Sequence, residues 1–299
     1  MSGSGGGAVP AQRKPPWLRV RMASGDSAKG VSETLARHGL NTVCDEARCP
    51  NKGECWGQAT ATFMVMGSVC TRGCRFCAVD TAKEGQPLSA EEPAELASAI
   101  IELALRYAVI TSVDRDELPD RGDAHFAACV LAIRARDPSI RIEVLAPDYH
   151  EGEIEILLGA TPDVFAHNVE TVLRLEAIRD RRAAYRTSLH TLSLASDWAK
   201  AHGGSPLVKS SLLLGVGERE EEVLAAMDDL REVGVTSLVL GQYLQPSARQ
   251  IPVVEYVHPE AFASYAVAAR GKGFGSVVSS PLARTSYHAR SSFEESSPG

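Results

Sequence analysis

The chain has 299 residues, a net charge of −7 and 44% hydrophobic residues, values that are ordinary for a globular protein. It has no long basic run of the kind that phosphate binding needs, so nucleic acid is not expected as a partner. No stretch approaches the roughly 18 uninterrupted apolar residues of a membrane span, so no membrane partner is expected. Residues 1–13 read as a flexible tail without the apolar core of a signal peptide, which predicts a cytoplasmic protein.

The first feature along the chain is a crowding of cysteines, six of which lie between Cys44 and Cys77 in two triplets. Crowding of this kind indicates disulfides, a zinc site or iron–sulfur clusters. Disulfides are disfavoured because nothing suggests secretion and reducing compartments keep thiols free. Zinc normally takes four ligands with paired C-x2-C spacing, whereas each triplet offers three thiols.

The first triplet, Cys44, Cys49 and Cys55, has C-x4-C-x5-C spacing and no fourth cysteine nearby. The only spare cysteine, Cys129, lies in a helical apolar pattern and is predicted to be a buried core thiol. If the first triplet holds a cluster, its fourth ligand is therefore a residue of another type, or is absent.

A predicted strand over 61–68 leads into the second triplet, Cys70, Cys74 and Cys77, with C-x3-C-x2-C spacing. A four-iron cluster held by three thiolates leaves one iron free to bind a substrate's amine and carboxylate, and Gly73 gives the loop backbone freedom. This triplet resembles the signature of the radical SAM superfamily, whose members hold S-adenosylmethionine in this way. Zinc is the alternative at this point.

Beyond the cysteines, strand-like and helix-like segments alternate. Predicted helices span 91–106, 123–136, 151–160, 188–202 and 218–234. Predicted strands span 107–113, 141–147, 163–169, 206–216 and 237–244. The segment 237–244 is the last clear strand along the chain. The alternation predicts a parallel sheet with right-handed crossovers. Counting 61–68, six strands favour an α/β fold with a partial (β/α)6 barrel, whose active site lies at the C-terminal strand ends.

Polar side chains gather within or just after these strands. Each alone is often a cap or turn residue, but their shared placement marks candidates for S-adenosylmethionine contacts. The candidates are Thr111, Ser112, Asp114, Asn168, Glu170 and Lys209. Ser210, Gln242 and Tyr243 share the pattern, while the basic patch of Arg179, Arg181, Arg182 and Arg186 is predicted to be a solvated face.

Seven segments between about Lys14 and Ala289 resemble lipoyl synthases, in the order of that family. They are LNTVCDEARCPNKGECW, TFMVMGSVCTRGCRFCAVDT, VITSVDRDELPDRG, PDVFAHNVETV, VKSSLLLGVGE, LGQYLQPS and PLARTSYHA. The upstream C-x4-C-x5-C triplet is the most specific of these elements. The resemblance identifies the chain as a member of this family and implies a radical SAM barrel with cluster-binding extensions at both ends.

The resemblance implies a sulfurtransferase that inserts two sulfur atoms, at carbons 6 and 8, into an octanoyl chain on a carrier-protein lysine. Cys70, Cys74 and Cys77 would hold the 4Fe-4S cluster that reductively cleaves S-adenosylmethionine. The auxiliary 4Fe-4S cluster, consumed as the sulfur source, would be held by Cys44, Cys49, Cys55 and Ser286. No acid–base residue is implied, because unactivated carbon–hydrogen bonds carry no acidic proton and the clusters carry the chemistry.

The implied substrates are octanoylated lipoyl domains of 2-oxo acid dehydrogenase complexes and the glycine-cleavage H protein. The implied partners are an electron donor such as flavodoxin or ferredoxin and an iron–sulfur carrier that repairs the auxiliary cluster. The chain divides into the tail at 1–13, an auxiliary-cluster extension at 14–60, the barrel at 61–244 and a C-terminal extension at 245–299.

Three residues depart from the usual family pattern: Ser68, Ala78 and Thr285, where an acidic residue, Asn and Ser are commoner. Among rival interpretations, biotin synthase leaves the first triplet unexplained, and a methylthiotransferase would usually add an RNA-binding domain. A non-catalytic cluster or zinc protein would favour closed four-cysteine sites.

Overall fold

The computed structural model describes residues 13–19, 26–46, 49, 51–57, 62–287, 289–290 and 293. The expected flexible tail therefore lies outside the described residues except for Arg13. None of the helices in the described ranges is both long enough and apolar enough to cross a membrane.

An eight-stranded sheet forms the centre of the molecule. Its strands are β1 (Asn41–Thr42), β2 (Thr62–Val65), β5 (Tyr107–Ser112), β6 (Arg141–Leu145), β7 (Val164–Ala166), β8 (Leu207–Leu214), β9 (Ser237–Gln242) and β10 (Ser276–Ser280), and a separate parallel pair is formed by β3 (Val69–Cys70) and β4 (Asp80–Thr81). The order is β1-β2-β5-β6-β7-β8-β9-β10, and every neighbouring pair is parallel except β1–β2. All residues of β2 and β9 are buried, as is typical of parallel strands covered on both faces.

The six strands predicted from the sequence are all present as β2 and β5 to β9. The prediction that 237–244 is the last strand was wrong, because β10 pairs with β9 from Ser276 opposite Ser237 to Ser280 opposite Gly241. The sequence of β10, SVVSS, has only two apolar residues and did not stand out as a strand. The C-terminal extension thus contributes a seventh parallel strand.

Helices cover the sheet. Their bounds are α1 (Asp26–Arg37), α2 (Val43–Glu46), α3 (Lys52–Gly57), α4 (Glu92–Glu102), α5 (Asp123–Arg136), α6 (Glu155–Gly159), α7 (Tyr185–Ala201), α8 (Glu220–Glu232) and α9 (Pro259–Gly271), with 3₁₀ helices at Pro16–Leu18 and Leu173–Ile178. The five predicted helices are confirmed as α4 to α8. The helix predicted over 151–160 begins only at Glu155, because Gly152 adopts a φ of 79° and residues 151–154 form a non-helical turn.

The helices bury apolar side chains against the sheet in one continuous core. Leu96 and Ile100 of α4, and Phe126 and Cys129 of α5, are all fully buried there. The prediction that Cys129 is a core thiol is confirmed.

The two extensions bring the opposite edges of the sheet together. β1 forms one edge and β10 the other, yet Asn51 Nδ2 donates to Leu282 O at 2.7 Å and Tyr287 Oη donates to Glu54 Oε1 at 3.0 Å. Because these bonds join residues next to the two edges, the sheet curves round an interior as a partial barrel does.

Candidate functional site

The second cysteine triplet lies on a loop that is tied to the strand ends. β3 and β4 pair Cys70 with Thr81 and so close the base of the loop. Thr71 N donates to Asp114 O at 2.9 Å, just after β5, and Arg75 N donates to Ile178 O at 2.7 Å. These bonds hold Cys70, Cys74 and Cys77 on one wall of a cavity of about 230 Å³.

The three thiols are suited to a ligand role by their burial. Burial raises the pKa of Cys70 and of Cys74 to about 12, and it also raises the pKa of Cys77. Arg72 N donates to Cys70 Sγ at 3.4 Å, and Asp180 N donates to Cys74 Sγ at 3.3 Å. Three thiols on one loop at the wall of a single cavity match the donor set of a 4Fe-4S cluster that leaves one iron open.

Five of the six predicted S-adenosylmethionine contacts line the same cavity, namely Thr111, Ser112, Asp114, Asn168 and Glu170. Thr111 Oγ1 donates to Leu145 O at 2.8 Å, and Asn168 Nδ2 donates to Glu170 Oε1 at 3.0 Å. Ser112 Oγ is buried and has no hydrogen-bond partner within the part of the chain that the structure describes. Burial raises the pKa of both Asp114 and Glu170. The wall therefore offers a polar ligand unused hydrogen-bonding capacity.

The first triplet lies beside a second cavity of about 360 Å³, which is lined by Cys44, Cys49 and Ser286. Burial, and then the neighbouring Cys44 and Cys49, raise the pKa of Cys55 to about 12, so Cys55 lies near the other two. The helices α2 and α3 supply this arrangement: Cys49 N donates to Cys44 O at 3.2 Å and Cys55 N donates to Asn51 O at 2.9 Å. The fold thus places Ser286 at the same cavity as Cys44 and Cys49.

The two cavities adjoin. Six residues line both of them, namely Val43, Phe76, Cys77, Leu145, Asn168 and Glu170. These shared residues form a boundary between the two cavities.

Comparison with known proteins identifies the family. Residues 64–239 match the model of the Radical SAM superfamily. The lipoyl synthase of Marinobacter nauticus is 49% identical over 96% of this chain and 82% of its own length, and that of Anaeromyxobacter dehalogenans is 50% identical over 94% and 95%. That of Halobacterium salinarum is 46% identical over 93% and 90%. The chain belongs to the lipoyl synthase family.

Solved structures of other proteins share the fold. The FeFe-hydrogenase maturase HydG from Carboxydothermus hydrogenoformans aligns with a TM-score of 0.55 and 17% identity, over 78% of this chain and 56% of that one. Methylornithine synthase (PylB) aligns with a TM-score of 0.53 and 12% identity, over 85% and 75%. The predicted fold class is confirmed, and as a lipoyl synthase family member the chain is a radical SAM enzyme, a class that uses a 4Fe-4S cluster and S-adenosylmethionine.

Lys209 does not join the other predicted S-adenosylmethionine contacts in this lipoyl synthase family member. It lies in the N-terminal half of β8, opposite Ser237, the first residue of β9. Its Nζ is 2.9 Å from Glu143 Oε1, and both side chains are almost completely buried beside Tyr107. They lie away from the loop that carries Cys70, Cys74 and Cys77, the cluster loop. Polar residues occur at both ends of the strands in a barrel, and the sequence pattern does not distinguish the N-terminal from the C-terminal ends. The prediction of Lys209 as an S-adenosylmethionine contact is therefore corrected.

A buried charge network next to the cluster loop was not predicted from the sequence. Arg72, between Cys70 and Cys74, is only 3% exposed and donates to both oxygens of Asp116, from Nε at 2.9 Å and from Nη2 at 2.8 Å. It also pairs with Asp114 at 3.2 Å and with Asp148. Although burial opposes its charge, the contacts with Arg72 hold the pKa of Asp116 below its usual range. In the sequence, the network could have been inferred from an arginine between two cysteines of the triplet and from acidic residues just after a predicted strand.

The predicted solvated face of arginines is only partly correct. Arg181, Arg182 and Arg186 are exposed as predicted. Arg179 is buried, lines the first cavity and donates to Val169 O at 3.1 Å. Arg182 donates to Thr71 O at 2.6 Å and pairs with Asp180, which also accepts from Gly73 N. Arg182 therefore bonds directly to the loop that carries the second cysteine triplet, whereas Arg179 lines the cavity beside it.

Proposed function

We propose that this chain completes lipoyl groups by inserting sulfur at carbons 6 and 8 of an octanoyl chain carried on a protein lysine. The observation that carries the proposal is the pair of thiol triplets, most of their members partly buried, beside adjoining cavities. An acyl chain lying at the shared wall would reach both donor sets without crossing bulk solvent.

The proposed ligand sets come from the family resemblance, and the presence of most of these donors at the two cavities supports them. Cys70, Cys74 and Cys77 would hold one 4Fe-4S cluster with an iron open to S-adenosylmethionine. Cys44, Cys49 and Cys55 would hold the auxiliary cluster, with Ser286 as fourth ligand. When bound, the first cluster supplies the electron that cleaves S-adenosylmethionine and the auxiliary cluster supplies the sulfur.

The other residues of the cavity would bind and orient the substrates. Ser112 Oγ is free to bond a polar group of S-adenosylmethionine, and the Asp114 and Glu170 carboxyls offer acceptors for its amine and hydroxyls. Val43 and Phe76 on the shared wall would pack against the octanoyl chain and exclude water. No acid–base role is assigned to any residue.

The partners are proposed from family membership. The substrates would be octanoylated lipoyl domains of 2-oxo acid dehydrogenase complexes and the glycine-cleavage H protein. Flavodoxin or ferredoxin would supply electrons, an iron–sulfur carrier would rebuild the auxiliary cluster, and the compartment would be the cytoplasm. The division into an extension at 14–60, a barrel at 61–244 and an extension at 245–299 is part of the same proposal.

Mass spectrometry tests the proposed function directly. The reconstituted protein is incubated anaerobically with dithionite, S-adenosylmethionine and an octanoyl-lysine peptide of a lipoyl domain. We expect 5′-deoxyadenosine and a peptide that has gained two sulfur atoms. Changing Cys70, Cys74 and Cys77 to Ala should abolish both products, whereas Cys44→Ala should keep 5′-deoxyadenosine alone. Wild-type cleavage of S-adenosylmethionine without any gain of sulfur would refute the proposal.

A further inference from the structure

Thr285 is buried next to Ser286, and its hydroxyl group contacts two side chains of the barrel. Its Oγ1 is 3.1 Å from Asn168 Oδ1 and 3.1 Å from Ser211 Oγ. Because Asn168 Nδ2 donates to Glu170 Oε1, its Oδ1 faces Thr285 as an acceptor. A hydroxyl has one proton, so Thr285 donates to Asn168 and accepts from Ser211.

The barrel side of this contact is rigid. Glu170 N donates to Ser211 O at 3.1 Å, and Leu213 N donates to Glu170 O at 2.8 Å, so this segment is bonded to β8 on both sides of Leu212. Glu170 also has a φ of 64°, a conformation that a residue other than glycine keeps only when its surroundings hold it. Thr285 therefore binds to a fixed frame that also lines the first cavity.

The segment around Ser286 is held from the other side by the N-terminal extension. Asn51 bonds to Leu282 O, and Tyr287 bonds to Glu54, the neighbour of Cys55. Ser286 thus lies between an attachment to the barrel at Thr285 and an attachment to the first cysteine triplet at Tyr287.

We propose that Thr285 is a positioning residue that fixes Ser286 relative to Asn168 and Glu170, and so couples S-adenosylmethionine cleavage to sulfur delivery. The inference rests on the proposed role of Ser286. Without the hydroxyl the segment stays bonded to the N-terminal extension, but its distance from the first cavity is no longer set. Serine, the commoner family residue at this position, offers the same hydroxyl and should serve equally well.

The test compares Thr285→Val, which has nearly the same shape without the hydroxyl, with Thr285→Ser, which keeps it. In the reconstituted protein we expect hydrogen exchange of the amides of residues 284–287 to rise roughly ten-fold in the valine variant, because buried hydrogen bonds are lost. A ferrous chelator should remove half of the iron faster than from the wild type. Affinity for S-adenosylmethionine should not change, while lipoyl product per 5′-deoxyadenosine should fall roughly ten-fold. Thr285→Ser should match the wild type in every measurement.

Wild-type exchange and iron loss in Thr285→Val would overturn the inference. If Thr285→Val unfolds, Ser211→Ala is the second variant, because it removes the β8 hydroxyl that donates to Thr285. Unchanged hydrogen exchange at residues 284–287 in Ser211→Ala would also overturn the inference. Ser286→Ala separates this inference from the proposed function. Normal lipoyl formation by Ser286→Ala would defeat the ligand assignment, whereas its loss alongside a wild-type Thr285→Val would defeat only the positioning role.

Discussion

At the scale of single residues, two buried cations differ in role because their surroundings differ. Arg72 sits within the cysteine loop, where Asp114, Asp116 and Asp148 surround it at the edge of the first cavity. Lys209 is equally buried, but it pairs with Glu143 near the N-terminal ends of the strands. Arg72 can therefore shape the site, whereas Lys209 acts on stability.

Replacing Lys209 should destabilise the protein without weakening S-adenosylmethionine binding. Lys209→Met leaves Glu143 buried and uncompensated, which costs about 3–5 kcal/mol of unfolding free energy. Denaturant unfolding measures that cost, and adding Glu143→Gln should recover most of it. A weaker affinity for S-adenosylmethionine in a variant of normal stability would restore Lys209 to the site.

Ser286 is the residue on which sulfur delivery should depend. Ser286→Ala should still bind S-adenosylmethionine and form 5′-deoxyadenosine, since the first triplet is untouched, but it should make little or no lipoyl product. A serine oxygen is a harder ligand than a thiolate, so Ser286→Cys should give a more stable cluster and slower insertion. Parallel assays of both products check this, and wild-type lipoyl formation by the alanine variant would leave the fourth ligand unidentified.

At the scale of elements, β9 and the segment after β10 approach so closely that no side chain fits between them. A Cβ built on Gly241 would lie 2.1 Å from the backbone oxygen of Ala283. The same segment continues through Thr285 to Ser286. The glycine in β9 thus sets how near the C-terminal segment lies to the strand ends.

Gly241→Ala should displace that segment and lower stability by about 1–3 kcal/mol through overpacking. We expect reduced lipoyl formation with S-adenosylmethionine binding retained, because the added methyl group would meet Ala283 and Arg284 rather than β5 or the second cysteine triplet. Gly159→Ala in α6 is the control, since its added Cβ meets nothing within 4 Å. Equal effects of the two substitutions on lipoyl formation would contradict the prediction.

At the scale of the whole molecule, the extensions join the barrel into one unit. The N-terminal extension supplies the first triplet and β1, while the C-terminal extension supplies β10 and Ser286, and direct hydrogen bonds connect the two. The second cavity is consequently built from both extensions and the barrel. Its arrangement depends on closure of the entire fold.

A chain that supplies its own sulfur should stop after limited product. Without a repair system we expect about one lipoyl group or fewer per chain, because each product consumes an auxiliary cluster. Reconstitution with heavy sulfide should label the product, and mass spectrometry reads the label. Many turnovers driven by unlabelled external sulfide, with the cluster intact, would rule out this mechanism.

The sequence by itself determined the features that depend on neighbouring residues. The spacing of Cys70, Cys74 and Cys77 is local, and the apolar runs of β2, β5, β7 and β9 are continuous because a parallel sheet buries both faces. The family match then agreed with the interpretation of the cysteine pattern.

Only the tertiary structure decided which polar residues meet. It separated Lys209 from the five cavity residues, buried Arg72 and Arg179, and added β10, whose short polar sequence is stabilised by pairing with β9. Thr285 meets Asn168 across 117 residues of chain. Contacts at such separations form when the sheet curves and its edges close, and no local spacing or periodicity encodes that geometry.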